Sequence, residues 1–193
     1  MAKKQTYLYI KEKSIIYGVC DDYNLTLDEY YKLYSFFVTY SLCGSQSWKK
    51  RSFSDYGWET ENISERLNGH TVDTPLGSCL KSVFLFDNNF SFSETDNLDE
   101  LFRKQNLEDG PITNVNVERA VIGKTPENNK YTKFFYRIRD GLAHGKFVLK
   151  YSSSDEKMIV IQDDNSHSIT ARIVVKLSTL LDIINNIDLT NLI

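Results

Sequence analysis

The clearest structural signal in the sequence is residues 131–147, YTKFFYRIRDGLAHGKF. Its apolar side chains recur at positions i, i+3, i+4, i+7 and i+11, which are Tyr131, Phe134, Phe135, Ile138 and Leu142. This spacing places them on one face of a helix. Gly145 fits the end of that helix, because glycine readily adopts the left-handed conformation that terminates helices. We therefore predict a helix over 131–142 that packs against a core.

Beyond this helix the apolar pattern becomes strand-like. Residues 147–151 and 158–161 flank the polar segment 152–156, an arrangement that predicts a β-hairpin. Residues 169–175 are a candidate third strand. Ser178 is placed to cap a last helix that extends to Ile187.

Before the central helix at 131–142, the clearest element is a helix over about residues 27–43. Thr26 and Glu29 have the spacing of a capping box, and apolar residues follow at helical intervals. The other segments are predicted as strands or the start of a helix (1–20), a short helix (59–67), a loop (71–78), an apolar run of undecided type (83–86), a short helix (95–105) and mostly loop (106–129).

Composition limits the class of protein. The chain has 193 residues, 41% of them hydrophobic and 25% charged, as expected for one globular domain. No apolar run is long enough to span a membrane. The three cysteines, Cys20, Cys43 and Cys79, lack metal-site spacing and are odd in number, so we expect neither a disulfide framework nor a zinc site, and a reducing cytoplasm fits. We also predict that the protein uses no metal and no cofactor. With a net charge of -3, any contact with nucleic acid would need a local basic patch.

Three side chains near the end of the central helix suit cleavage of RNA without a metal. That reaction needs a base for the 2′-hydroxyl, an acid for the departing 5′-oxygen and a fixed cation for the phosphate charge. His144 offers an imidazole, a group that serves as acid or base near neutral pH. Arg139 offers a permanently charged fork that matches phosphate. Asp140, four residues before His144, shares its face and could orient the imidazole.

A single chain leaves two difficulties. Arg139 and His144 are separated by about 140° around an ideal helix, and one imidazole does not easily act as both base and acid. Both difficulties disappear if two copies of the helix meet across a two-fold axis. We therefore predict a homodimer with a composite cleft.

The segment Arg139-Asp-Gly-Leu-Ala-His-Gly145 resembles the R-x4-6-H motif of the HEPN superfamily, and the strands after it resemble those of stand-alone bacterial HEPN proteins. The resemblance covers residues 127–187. It implies that 1–193 is a single HEPN-like domain, mainly α, with 1–110 as its helical N-terminal part and a small antiparallel hairpin or sheet near the C-terminus.

The resemblance also implies a function. Many such proteins are metal-independent endoribonucleases that act as toxins or abortive-infection effectors against phage, and they commonly dimerise with their motif helices facing. Arg139 and His144 would be the catalytic pair, with Asp140 in the place of the more usual Asn. The products would be a 2′,3′-cyclic phosphate and a 5′-hydroxyl. The implied partners are RNA, a second copy of the chain, and a nucleotidyltransferase-type antitoxin or other defence protein. The alternative to a ribonuclease is a catalytically inactive HEPN-like module that binds nucleotide or a partner.

Ordinary structural roles remain open for these residues. Arg139, Asp140 and His144 could simply form the polar end of a helix. Four more cations form either an electropositive rim for RNA or a solvated face: Lys133, Arg137, Lys146 and Lys150. Arg137 shares a helical face with His144, so the spacing alone does not decide which arginine enters the cleft. For Tyr30, Tyr31, Tyr34 and Tyr40 we expect a place in the core or a dimer interface rather than a base-stacking role.

Overall fold

The computed structural model describes residues 9–11, 14–15, 25–39, 89–95, 97–108, 110–125, 130–165 and 168–189. The predicted elements at 59–67, 71–78 and 83–86 lie outside the described residues, as do the three cysteines. In chain order the described elements are β1 (Tyr9–Lys11), β2 (Ser14–Ile15), α1 (Leu27–Leu33, continued by a π-helix over Tyr34–Thr39), β3 (Phe90–Phe92), α2 (Asp99–Lys104), β4 (Arg119–Ile122), α3 (Lys130–Ala143), β5 (Phe147–Tyr151), β6 (Lys157–Asp164), β7 (Ile169–Lys176) and α4 (Leu177–Leu189).

A five-stranded mixed sheet dominates this part of the chain. Its strand order is β3-β4-β7-β6-β5, with β3 and β4 parallel and the other neighbours antiparallel. The prediction of a mainly α helical bundle with a small hairpin is therefore wrong. Strands also occur before residue 110: β1 and β2 form a separate two-stranded pair, in line with the strand-like alternative for 1–20, and β3 joins the large sheet.

The missed strands have a physical explanation. All four residues of β4 are buried, so the strand lacks the alternation of a half-exposed strand. It is also short and lies in the polar segment 106–129 that the sequence marked as mostly loop. The predicted hairpin and third strand are confirmed as β5, β6 and β7, and the predicted helices at 131–142 and 95–105 as α3 and α2. The terminal helix is confirmed as α4, but it begins at Leu177, so Ser178 lies inside the helix and is not its cap.

The sheet has an apolar core on each face. Along β6, Ile159 and Ile161 face the core shared with α1, α3 and α4, whereas Met158 and Val160 face the other way. That second core is covered by α2 and the segment after it, through residues such as Phe102. Burial on both faces accounts for the nearly continuous apolar sequence of the central strands.

Two buried arginines hold the irregular segment after α2 against the sheet. Arg172 on β7 is 0% exposed, and it donates to the carbonyl of Leu107 at 3.0 Å and to Gln162 at 3.1 Å. Arg119 donates to the carbonyls of Val117 at 2.9 Å and Asn114 at 2.6 Å. These guanidinium groups donate hydrogen bonds to backbone carbonyls that are not paired within a strand or helix. The segment can therefore cover the core although the segment itself has no regular secondary structure.

The start of α1 is fixed by the predicted capping box, which is confirmed. Thr26 Oγ1 accepts from the Glu29 amide at 3.2 Å, and Glu29 Oε2 accepts from the Thr26 amide at 2.7 Å. Glu29 also pairs with Lys157 on β6 at 2.9 Å. Burial raises the pKa of Glu29, but the bonds to Lys157 and Thr26 outweigh it, so the pKa is lowered overall. The cap therefore ties α1 to the sheet as well as starting the helix.

No helix within the described ranges combines the length and the apolar character that a bilayer crossing requires.

Candidate functional site

The motif helix α3 ends where the sequence predicted. The Lys146 amide donates to the Gly141 carbonyl at 2.7 Å, and the Gly145 amide donates to the Leu142 carbonyl at 3.1 Å. Gly145 has φ +65°, so these bonds form a Schellman motif with glycine in the left-handed position. His144 is consequently the C-cap residue, and its exposed side chain stands at the end of the helix.

A second glycine sets the depth of α3 against the sheet. A Cβ atom at Gly141 would lie well under 3.0 Å from Cγ2 of Ile161, closer than real carbon atoms approach. Only glycine permits this contact between α3 and β6. The segment that carries Arg139 and His144 is thus held directly on the buried centre of the sheet.

Arg137 points into the protein. Its side chain is 8% exposed and forms an ion pair with Asp163 on β6. The same guanidinium donates to Thr170 Oγ1 on β7 at 3.0 Å and to the Lys124 carbonyl. Arg137 therefore ties α3 to two strands and a loop, and the side chain has little surface to offer a ligand.

Arg139 and His144, by contrast, reach the surface. The Arg139 side chain is 26% exposed and pairs with the carboxylate of Asp140, which is 12% exposed. His144 is exposed, and its amide donates to the Asp140 carbonyl at 3.1 Å. Within the described part of the chain the imidazole has no hydrogen-bond partner, so Asp140 holds Arg139 here rather than the ring of His144.

The other predicted cations already have acceptors within the chain. Lys133, 2% exposed, pairs with Glu94, and Lys146 pairs with Asp164 at 2.9 Å. Lys150 donates to the Ile112 carbonyl, and burial lowers the pKa of this lysine. The structure does not bring these amino groups together as a set of unpaired charges beside His144.

Two tyrosines that the sequence did not place at this site lie beside it. Burial raises the pKa of Tyr136, and the nearby Asp140 raises it further, while Arg137 and Arg139 act in the opposite direction. The Tyr34 hydroxyl donates to the Leu142 carbonyl at 3.0 Å. The four-residue spacing to Asp140 could have indicated Tyr136, but nothing in the sequence links Tyr34 to a residue so far along the chain.

Among the described residues, no three His, Cys, Asp or Glu side chains are grouped so that they could hold a metal ion. Comparisons of the chain with protein-family models, with curated proteins and with solved structures found no match.

Proposed function

We propose that this protein is a metal-independent endoribonuclease of HEPN type, which acts as a homodimer in the cytoplasm in a toxin or anti-phage role. One observation carries the proposal. The two side chains of the motif that the chemistry needs, Arg139 and His144, reach solvent at one end of α3, whereas Arg137 is buried in an ion pair. The proposal takes only the motif chemistry from the resemblance, since the mixed sheet differs from a helical bundle.

The reaction follows from these groups once two copies face each other. The imidazole of one His144 removes the proton of the ribose 2′-hydroxyl, whose oxygen then forms a bond to phosphorus. The bond from phosphorus to the 5′-oxygen breaks, and the partner subunit's His144, as imidazolium, donates a proton to the departing oxygen. The guanidinium of Arg139 stabilises the charge on the non-bridging oxygens. The products are a 2′,3′-cyclic phosphate and a 5′-hydroxyl.

Asp140 has a positioning role in this scheme. Its carboxylate holds the guanidinium of Arg139 at the end of α3, so that the arginine has few conformations to lose when RNA arrives. The same carboxylate partly neutralises the cation, and a bound phosphate must compete with it. We do not assign RNA contacts to Arg137, Lys133, Lys146 or Lys150, because each is tied to an acceptor in another part of the chain, whereas the acceptor of Arg139 is its neighbour Asp140.

The test is cleavage of a fluorescent RNA by purified protein with EDTA present. We expect cleavage in EDTA, cyclic-phosphate ends, and at least about 100-fold slower cleavage by Arg139→Ala or His144→Ala, as for loss of a general acid–base or an oxyanion-stabilising group. Arg103→Ala is the matched control, since Arg103 is exposed on α2, on the opposite face of the sheet. Circular dichroism must show all variants folded.

Mixed dimers test whether two chains share one catalytic cleft. Co-expression of the wild-type chain with excess His144→Ala chain should lower the activity per wild-type chain, because mixed dimers carry only one imidazole. Activity that simply follows the amount of wild-type chain, or that disappears with EDTA, would rule out the shared metal-independent site.

A second candidate is a catalytically inactive HEPN-like module that binds nucleotide or a protein partner. The Arg139–Asp140 ion pair favours it, because the cation that would hold the phosphate is already engaged. This candidate predicts nucleotide or partner binding with no cleavage of any RNA, and binding that is insensitive to His144→Ala.

A further inference from the structure

Helix α1 presents aromatic side chains to solvent. Tyr30 is 47% exposed and Tyr31 is 68% exposed. The ring of Tyr30 stacks on that of Tyr34, with centroids 4.2 Å apart and planes 25° from parallel. Tyr34 therefore covers one face of the Tyr30 ring, and Tyr30, the outer tyrosine of the pair, remains accessible.

The stacked pair is anchored to the motif helix. The Tyr34 hydroxyl donates to the Leu142 carbonyl at 3.0 Å, two residues before His144. Burial and the neighbouring Tyr30 raise the pKa of Tyr34, so the phenol keeps the proton that it donates. One ring and one hydrogen bond thus separate Tyr30 from the backbone of α3. Phe37 and Phe135, stacked with centroids 5.8 Å apart, fix the following π-helix on the same helix.

The charges around Tyr30 are balanced. Both carboxylates in the first turn of α1 are paired with lysines, Asp28 with Lys32 at 3.0 Å and Glu29 with Lys157 at 2.9 Å. The ion pairs remove much of the repulsion that two free carboxylates would exert on a polyanion. An aromatic ring on this surface can therefore be approached by the backbone of a nucleic acid.

We propose that Tyr30 is a stacking platform for one unpaired base of single-stranded RNA whose backbone passes His144. This inference rests on the proposed function and specifies its substrate class. Every base has a π-face, so stacking on tyrosine tolerates sequence, but the base must be free of its own stack and pair. A platform beside the reacting phosphate consequently favours single strands over duplex.

The competing occupant of this surface is a second copy of the chain. A stable protein interface buries roughly 800 Å² on each partner, and α1 has 7 residues, of which the large exposed ones are Leu27, Tyr30 and Tyr31. The parallel stack on an anchored ring matches a flat base better than a protein interface of that size. Self-association through Tyr30 is therefore an outcome that the experiment must be able to detect.

The experiment measures binding in a His144→Ala background, so that cleavage does not consume the probe. Fluorescence anisotropy with a labelled single-stranded RNA of about ten nucleotides gives the affinity. We expect Tyr30→Ala to weaken binding by about 5- to 100-fold, the loss of one stacked base. Tyr30→Phe should bind like the parent, because the ring remains. Tyr31→Ala is the matched control and should also bind like the parent, because Tyr31 is outside the stack and is rotated from Tyr30 by about 100° around the helix.

A second probe identifies the contact. In an RNA with an abasic site scanned along its length, one position should abolish the difference in affinity between the parent and the Tyr30→Ala variant. The proposal is overturned if Tyr30→Ala binds as tightly as the parent, or if Tyr31→Ala loses as much affinity as Tyr30→Ala. It is also overturned if duplex RNA binds tightly, or if Tyr30→Ala changes the sedimentation of the protein and not its affinity for RNA. If the wild-type chain cleaves RNA without a metal but RNA binding does not depend on Tyr30, only the stacking platform is refuted. If RNA binding depends on Tyr30 but the wild-type chain does not cleave RNA, only the nuclease activity is refuted.

Discussion

Replacing Gly141 by alanine is expected to destabilise the protein, although alanine is the better helix former. In an open helix the change would stabilise by about 1 kcal/mol. Here the new methyl group would enter the space of Cγ2 of Ile161, a side chain that is 1% exposed on a central strand. Overpacking of this kind costs about 1–3 kcal/mol after relaxation and exceeds the helix-propensity gain where the neighbour cannot move. We expect a net loss of up to about 2 kcal/mol.

The assay is urea unfolding followed by far-UV circular dichroism, arranged as a double-mutant cycle with Ile161→Ala. That substitution alone should cost about 2–5 kcal/mol through its cavity, but it also removes Cγ2 and makes room for the methyl at Gly141. The double variant should therefore be about 1–3 kcal/mol more stable than the sum of the single effects. Ala143→Gly, at an exposed position of the same helix, measures the propensity difference. Additive effects, or a Gly141→Ala protein more stable than the parent, would refute the close approach of α3 to β6.

Two further outcomes follow from the ion pairs. Arg137→Met should lower the free energy of unfolding by about 3–5 kcal/mol, because it leaves the Asp163 carboxylate buried without its cation. Adding Asp163→Leu should restore part of that loss. If the Arg137→Met variant is as stable as the parent in urea, the buried ion pair is contradicted. The lowered pKa of Glu29 means that its contribution is present above its ordinary value of 4.5 and is lost as pH falls through the folded value. Glu29→Gln should thus be about 1 kcal/mol less stable than the parent near neutral pH, with the gap closing on acidification in chemical-denaturation curves; a gap that does not change with pH would contradict the assignment.

Local signals accounted for much of the secondary structure. The apolar stripe and Gly145 predicted α3 and its end, because helix periodicity and left-handed termination act over a few residues. Thr26 and Glu29 predicted the start of α1 for the same reason. The two apolar runs on either side of the polar segment 152–156 predicted the hairpin. In each case the residues that interact are close together in the chain.

The sheet escaped prediction because its pairings are long-range. β4 is a buried run of four residues, and its partners β3 and β7 lie far away in sequence, so no local period marks it. The short β3 gives an even weaker signal. The polar residues, prolines and glycines of 106–129 then favoured a loop where β4 lies. Strand pairing depends on the whole sheet, and the sequence carries no local record of it.

By itself, the chain's sequence determined that Arg139, Asp140 and His144 would lie near the end of one helix, since five residues span less than two turns of a helix of 3.6 residues per turn. Only the tertiary structure decided which arginine faces solvent, because burial of Arg137 depends on Asp163 and Thr170 arriving from two strands. Only the tertiary structure could place Tyr34 against Leu142, since that hydrogen bond joins residues 108 positions apart in the sequence. Charge and spacing are local properties, whereas exposure and partnership depend on what the rest of the fold packs against each residue.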